Sequence, residues 1–295
     1  MKIGAKRILT VRAVSGLSGD MLLGGLASLA GLENQELDAL IAELAVPDLK
    51  NCLHLEKRSL NGVGGVGCRI NLAGGNEDYS SHVHGHRHEQ GEHTGDGAPE
   101  RAAHGTQGYP EQRRAELDSA GSAHEHRTFT DIAGLIQSSA LPDRAKDLAL
   151  SAFSLLAEAE AAVHGIEKGK VAFHEVGALD SILDVCLCCR IFEILKPERF
   201  VCSPLPLADG MINCAHGILP APAPAVLRLL EGVAVCSFAG SGETVTPTAL
   251  SLLKALGADF GPWPEMIVER TVISYGSRIF PGAPNGAVWA LGRGL

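Results

Sequence analysis

Residues 7–29, RILTVRAVSGLSGDMLLGGLASL, carry the reading on which the fold turns. The apolar, β-branched run 7–14 has the character of a strand. Ser15-Gly16-Leu17-Ser18-Gly19-Asp20 is a glycine-rich turn, and the apolar positions from Met21 to Leu29 recur with helical spacing. Outward from this strand–turn–helix, a second helix is predicted over Gln35–Leu44 and strand-like alternation over Cys52–Arg58 and Val66–Leu72. Beyond residue 127, Thr130 is read as the N-cap of a helix over 131–138. Pro142, at a first-turn position, opens a long helix ending near His164-Gly165. Next come a helix from Asp180 to Ile194, a strand at Phe200–Ser203 and a helix at Ala225–Leu230. A strand at Val233–Phe238, a helix at Thr246–Leu256 and strands at Met266–Ile273 and Ala287–Leu291 complete the chain. Strands alternating with helices predict an α/β (or α+β) fold in which helices cover a sheet.

Between these parts the composition changes. Residues 73–127 are rich in His, Gly, Glu, Ser and Arg and nearly empty of large apolar side chains. Such a segment cannot offset its ordering entropy by burial, so a disordered insert is expected between an N-terminal part, 1–72, and a main part, 128–295. Eight of the 12 histidines fall in this insert, among them His82, His84, His86 and His88. A polyhistidine stretch captures Ni²⁺, Zn²⁺ or Cu²⁺ with modest selectivity, and a low-complexity insert of no consequence is the alternative.

With 45% hydrophobic residues among 295, the chain can bury a sizeable core, and with 4% aromatics that core rests on Leu, Ile, Val and Ala. A net charge of −9 argues against a broad nucleic-acid or anionic-membrane surface. No apolar run approaches the roughly 20 residues of a bilayer span, and residues 1–14 lack a secretory pattern, so a cytoplasmic location is expected. The eight cysteines include no CxxC pair and read as reduced, mostly buried thiols.

The residues suited to chemistry cluster in motifs. In FHEVGALDSILDV (173–185), His174, Glu175, Asp180 and Asp184 occupy an otherwise apolar segment, and Asp180 and Asp184 share one helical face. Buried carboxylates require compensation, by a metal, a proton or a partner. The alternative is that Asp180 caps its helix and Asp184 forms an ion pair. His216, in NCAHG, is a loop histidine or an exposed turn residue. Glu243 precedes Thr246-Pro247, a helix start, and is either a ligand or a dipole-favoured carboxylate. The strand–SGLSGD–helix segment has the shape of an anion site, or of a turn capped by Ser18 or Asp20. Gly62-Val63-Gly64-Gly65-Val66-Gly67 matches a dinucleotide fingerprint only as a string, because residues 68–72 alternate like a strand where the fingerprint needs a helix.

Together these motifs resemble the nickel insertion (LarC) family of nickel-pincer-cofactor biosynthesis, associated with lactate racemase maturation. SGLSGDM (15–21), LLAEAEAAVHG (155–165), FHEVGALDSILDV, SPLPLADG (203–210), AHGILPAPAPA (215–225) and ETVTPT (243–248) carry the resemblance in family order. It implies a nickel chelatase of the lyase class that inserts Ni²⁺ into pyridinium-3,5-bisthiocarboxylic acid mononucleotide, with CTP and Mg²⁺ or Mn²⁺. The resemblance marks these motif positions as candidates, and by residue type Glu175, Asp180 and Asp184 are the candidate catalytic groups. Gly16, Ser18, Gly19, Asp20 and Thr246 are candidates for holding the mononucleotide. His174, His216, Glu243 and the insert histidines are candidates for nickel. Relatives continue into a nucleotide-binding domain past the position of Leu295, so a separate C-terminal polypeptide is an expected partner, and a homo-oligomer stays open. Arg12, Ala208, Ala249 and Ile279 stand where the family pattern has other residues, and at Ala249 a glycine's backbone freedom is expected to be lost. A non-catalytic nickel chaperone or storage protein, or a divergent metal-dependent hydrolase, are the alternative functions.

Overall fold

The computed structural model describes residues 6–71, 127–173, 179–214 and 217–295. Seven strands organise them: β1 (Arg7–Ala13), β2 (Leu53–Leu60), β3 (Val63–Ile70), β6 (Arg199–Cys202), β11 (Asp259–Phe260), β12 (Met266–Ser274) and β13 (Ala287–Gly294). They form one mixed sheet in the order β11-β6-β1-β13-β12-β3-β2. β1 lies inside the sheet, parallel to β6 and antiparallel to the central strand β13. Residues from both sides of the insert thus build a single sheet. The α/β reading holds, with seven α-helices among the described residues.

Helix α1 (Gly19–Ala30) lies on this sheet against β3, β12 and β13. Close approach is possible because Gly25 has no side chain: a Cβ there would fall 2.3 Å from the Trp289 ring. Trp289 is fully buried and its indole N–H donates to Ser274 Oγ at 2.8 Å, so its polar end is satisfied inside the core. Helix α2 (Asn34–Ala42) packs on β2. α5 (Leu179–Leu195) packs on α1, and α4 (Asp143–His164) lies across α5, α6 (Pro224–Leu229) and α7 (Pro247–Ala255). α5 is therefore sandwiched, and ten of its 17 residues are buried. Its sequence is apolar around most of its circumference for that reason, with Asp180 and Asp184 sharing one face.

The glycine string at 62–67 belongs to the β2–β3 hairpin. Leu60 pairs with Val63, and Asn61 and Gly62 both have positive φ (51° and 79°), as a two-residue primed turn requires. Helix α3 (Phe129–Ser138) begins earlier than the Thr130 cap predicted. Thr128 is the N-cap, accepting from Asp131 N–H at 3.2 Å while Asp131 Oδ2 accepts from Thr128 N–H at 2.8 Å. The reciprocal capping box outweighs a lone hydroxyl at 130. Pro142 caps α4 and is not in its first turn, and Gly165, at φ 65°, ends it in the left-handed conformation.

Three strands in the proline-rich stretch after Ser203 were not anticipated. β7 (Leu205–Asp209) pairs with β10 (Val235–Ser241), and β8 (Met211–Cys214) forms a hairpin with β9 (Gly217–Pro220). Pro206 and Pro220 obscure them, because proline reads as a strand breaker although it is tolerated on short edges. A two-residue pair, β4 (Arg127–Thr128) with β5 (Ala172–Phe173), completes the strands. All eight cysteines are free, and Cys52, Cys186, Cys188, Cys189 and Cys202 are buried. Among the described residues, no helix is long and apolar enough to cross a membrane.

Candidate functional site

Three of the sequence motifs meet where α1, α5 and α7 begin. The chain leaves β1 at Ala13 and turns at Gly16, whose φ of 140° favours glycine. Leu17 N–H then donates to Thr244 O at 2.9 Å, and Thr246 N–H donates to Leu17 O at 3.2 Å. The SGLSGD turn and the ETVTPT loop are thereby joined as a short parallel bridge between Leu17 and Val245. Thr244 donates its hydroxyl to Pro206 O at 2.6 Å, which fixes the loop to β7. Thr246 caps α7 by accepting from Ala249 N–H at 3.2 Å, with Pro247 in the first turn.

The convergence is tightest at Gly19. A Cβ on this residue would stand 2.5 Å from Asp184 Oδ2 and 3.3 Å from Thr248 Cγ2, so α1, α5 and α7 all reach one point. Bare glycine lets the Asp184 carboxylate lie against the first turn of α1. Substituting Gly19→Ala is expected to displace Asp184 and lower nickel affinity at least tenfold, with little change in helix content. Isothermal titration with Ni²⁺ and circular dichroism check this. An alanine variant with wild-type affinity would remove Asp184 from the site.

The electrostatics are those of a buried acid pair, compensated in part at Asp20 but not at Asp184 Oδ1 among the described residues. Asp184 Oδ1 is buried and has no hydrogen-bond partner among the described residues. Burial pushes the Asp184 carboxyl well above the usual range, and the nearby charges of Asp20 and then Asp180 push it further. Burial also raises Asp20, outweighing the Ser18 hydroxyl that donates to it, the Met21 N–H and the positive charge of Arg58. Ser18 is the N-cap residue of α1 by position, but its hydroxyl serves Asp20 and makes no capping bond. Asp180 Oδ1 accepts from Ser181 N–H at 2.7 Å, so this residue faces the first turn of its own helix.

Around the pair lie groups that sequence reasoning missed. Arg58, on β2, donates to Gly276 O at 2.6 Å, and a Cβ on Gly276 would stand 3.3 Å from Ser18 Oγ. Nothing in the sequence signals this, because only the sheet order brings residues 58 and 276 to α1. Cys188 comes one helical turn after Asp184, a spacing that could have been read. Burial pushes the Cys188 and Cys68 thiols well up, with Asp184 the first of the nearby charges adding to each. They are neutral thiols near neutral pH, not nucleophiles.

The structure thus brings Gly16, Ser18, Gly19, Asp20, Asp184 and Thr246 together and adds Thr248. Asp180 lies a turn before Asp184. Glu243 sits in the bridging loop, its main-chain oxygen accepting from Arg278 at 2.8 Å. His174, Glu175, His216, His82, His84, His86 and His88 lie outside the described residues. Among the described residues, no three His, Cys, Asp or Glu side chains form a metal-binding group. Asp20 and Asp184 supply hard oxygen donors that suit a divalent transition ion in part of its coordination sphere. The expected loss at Ala249 does not arise, since the position is buried within α7, where alanine is favoured over glycine by about 1 kcal/mol. Arg12 points away into the loop after β11, donating to Gly261 O at 2.9 Å and lying over Trp263.

A family model described as "Nickel insertion protein" matches residues 9–291. A protein of Geotalea uraniireducens (strain Rf4) is 46% identical over 160 residues, which cover 54% of this chain and 41% of that protein. One of Myxococcus xanthus (strain DK1622) is 45% identical over 175 residues, 59% of this chain and 44% of that protein. Both carry the name "Putative nickel insertion protein". The chain spans less than half the length of the curated relatives it matches. No solved structure matches it.

Proposed function

The chain belongs to the nickel insertion protein family, and from that premise we propose that it inserts Ni²⁺ into the metal-free pyridinium-3,5-bisthiocarboxylic acid mononucleotide used in lactate racemase maturation. The observation that carries this reading is the buried Asp184 carboxylate, whose Oδ1 has no hydrogen-bond partner among the described residues and whose Oδ2 lies against Gly19. An isolated carboxylate held in low dielectric is costly, and a divalent cation is the natural relief. Nickel is a substrate here. Asp20 and Asp184 receive it as hard ligands, and the motif residues His174, Glu175 and His216 are proposed to complete or assist its coordination. The insert histidines His82, His84, His86 and His88 serve as the capture stage.

Insertion breaks a ring C–H bond and forms a carbon–nickel bond, so a proton must leave. A carboxylate whose affinity for protons is raised by burial is a suitable acceptor, and Asp184 is assigned that role once the metal has moved to the ring and its sulfurs. The substrate phosphate does not belong beside two carboxylates without an intervening cation. Among the described residues no further acidic or imidazole cluster could hold the Mg²⁺ or Mn²⁺ of a nucleoside triphosphate. CTP is proposed only as co-substrate of the complete reaction.

Two measurements test this reading. Protein incubated with Ni²⁺ and the metal-free mononucleotide, with and without CTP and Mg²⁺, is expected to develop the absorption of the nickel pincer. Failure in every condition, including addition of the remaining portion of a longer relative, would refute the insertion reaction. Nickel must also displace protons from the Asp20–Asp184 pair. Its binding is then expected to tighten as pH rises through their raised values, and calorimetry in buffers of different ionisation enthalpy should show proton release that diminishes over the same rise.

A further inference from the structure

A cavity of about 430 Å³ opens between β10 and the segment after Tyr275, lined by Ala239, Gly240, Ser241, Arg278, Phe280 and Ala283. This is within the size range of small-molecule sites. Among the described residues, Arg278 is its only charged lining residue. The guanidinium is fixed by donating to Glu243 O at 2.8 Å and Ser241 O at 2.9 Å, and it lies over the Phe280 ring at 4.9 Å. Two main-chain carbonyls use two of its five N–H donors and leave its charge unneutralised. Among the described residues it enters no ion pair, in a protein whose net charge is −9. A pre-oriented guanidinium of this kind is a receptor for phosphate. Phe280, edge-on to Phe238 at 5.1 Å, adds an aromatic wall.

Both walls run directly into the acid site. One carries Glu243 into Thr244, whose oxygen holds Leu17 N–H. The other carries Gly276, whose missing side chain leaves room for Ser18 and Met21. We infer that this cavity is the subsite for the phosphate of the mononucleotide, with Arg278 as its anion-binding residue and the ring directed toward Asp20 and Asp184. The assignment rests on the proposed insertion reaction and places the phosphate away from the carboxylates that would repel it.

Nicotinic acid mononucleotide serves as a probe, with nicotinic acid riboside as its phosphate-free counterpart, in titrations separate from those with Ni²⁺. Arg278→Ala is expected to weaken the mononucleotide about 30-fold and the riboside little, the usual size of a lost charge-assisted contact. Ala283→Phe, which fills the cavity without removing a hydrogen-bonding side chain, is expected to weaken the mononucleotide comparably. Nickel affinity should be unchanged in both variants. The inference is overturned if wild-type protein does not bind the mononucleotide, if Arg278→Ala affects both probes equally, or if Ala283→Phe binds normally. Loss of nickel binding by wild-type protein would instead count against the insertion reading itself.

Discussion

Asp184→Asn is expected to abolish nickel binding at the core site and, in the nickel-free protein at pH 7.5, to raise stability by about 1–2 kcal/mol. The sign comes from the direction of the shift. Burial, then Asp20 and Asp180, lift the folded-state pKa of Asp184 above its unfolded value. The folded state therefore holds the proton more tightly than the unfolded chain does. Its contribution to stability is fully present below the unfolded value, near 4, and is lost as pH rises through the raised folded value. The wild-type, nickel-free protein should accordingly lose stability over that window, and the asparagine variant should show a flatter profile. Thermal melts from pH 4 to 8 would show the variant melting about 2–5 °C higher at the upper end. Added Ni²⁺ should stabilise the wild type and leave the variant unmoved. If Asp184→Asn destabilises at pH 7.5, or still responds to nickel, Asp184 is a structural acid with a partner.

Gly16→Ala is expected to destabilise the protein by at least about 3 kcal/mol. The added methyl would stand 2.0 Å from Thr244 O, the acceptor of Leu17 N–H, at a φ of 140° that side chains avoid. The clash cannot be relieved by a rotamer change, because Thr244 O is a backbone atom. The bridge between Leu17 and Val245 should open and the start of α7 should shift, so insertion activity should fall with stability. Gly64→Ala is the matched control, since a Cβ there meets nothing within 4 Å. Urea unfolding of the two variants compares them directly. A Gly16 variant within about 1 kcal/mol of wild type would mean that the turn is not held as described.

Much of this site was legible from spacing. Asp180 and Asp184 share a helical face because α5 exists, and its existence stems from 17 residues without a breaker. Thr246-Pro247 marks a helix start by local chemistry alone, and the structure has α7 begin there. The strands β2 and β3 were legible from alternation, since side chains on a pleated strand face opposite sides in turn. Where local signals competed, the reading slipped. Thr130 lost to Thr128 because Asp131 closes a reciprocal bond, and β7 and β9 were hidden by prolines that short edge strands tolerate.

Sequence alone therefore determined the alternation of strands and helices, the acidic helix face and the family, all properties of neighbours within a few residues. Only the tertiary structure decided that Gly19, Asp184 and Thr248 meet at one point. It also decided that Arg58 and Gly276 stand beside them and that Arg278 faces an open cavity. Those juxtapositions depend on the strand order of the sheet and on how closely α1 can approach Trp289 and α5. Packing of that kind is a sum over contacts remote in sequence, and no spacing along the chain encodes it.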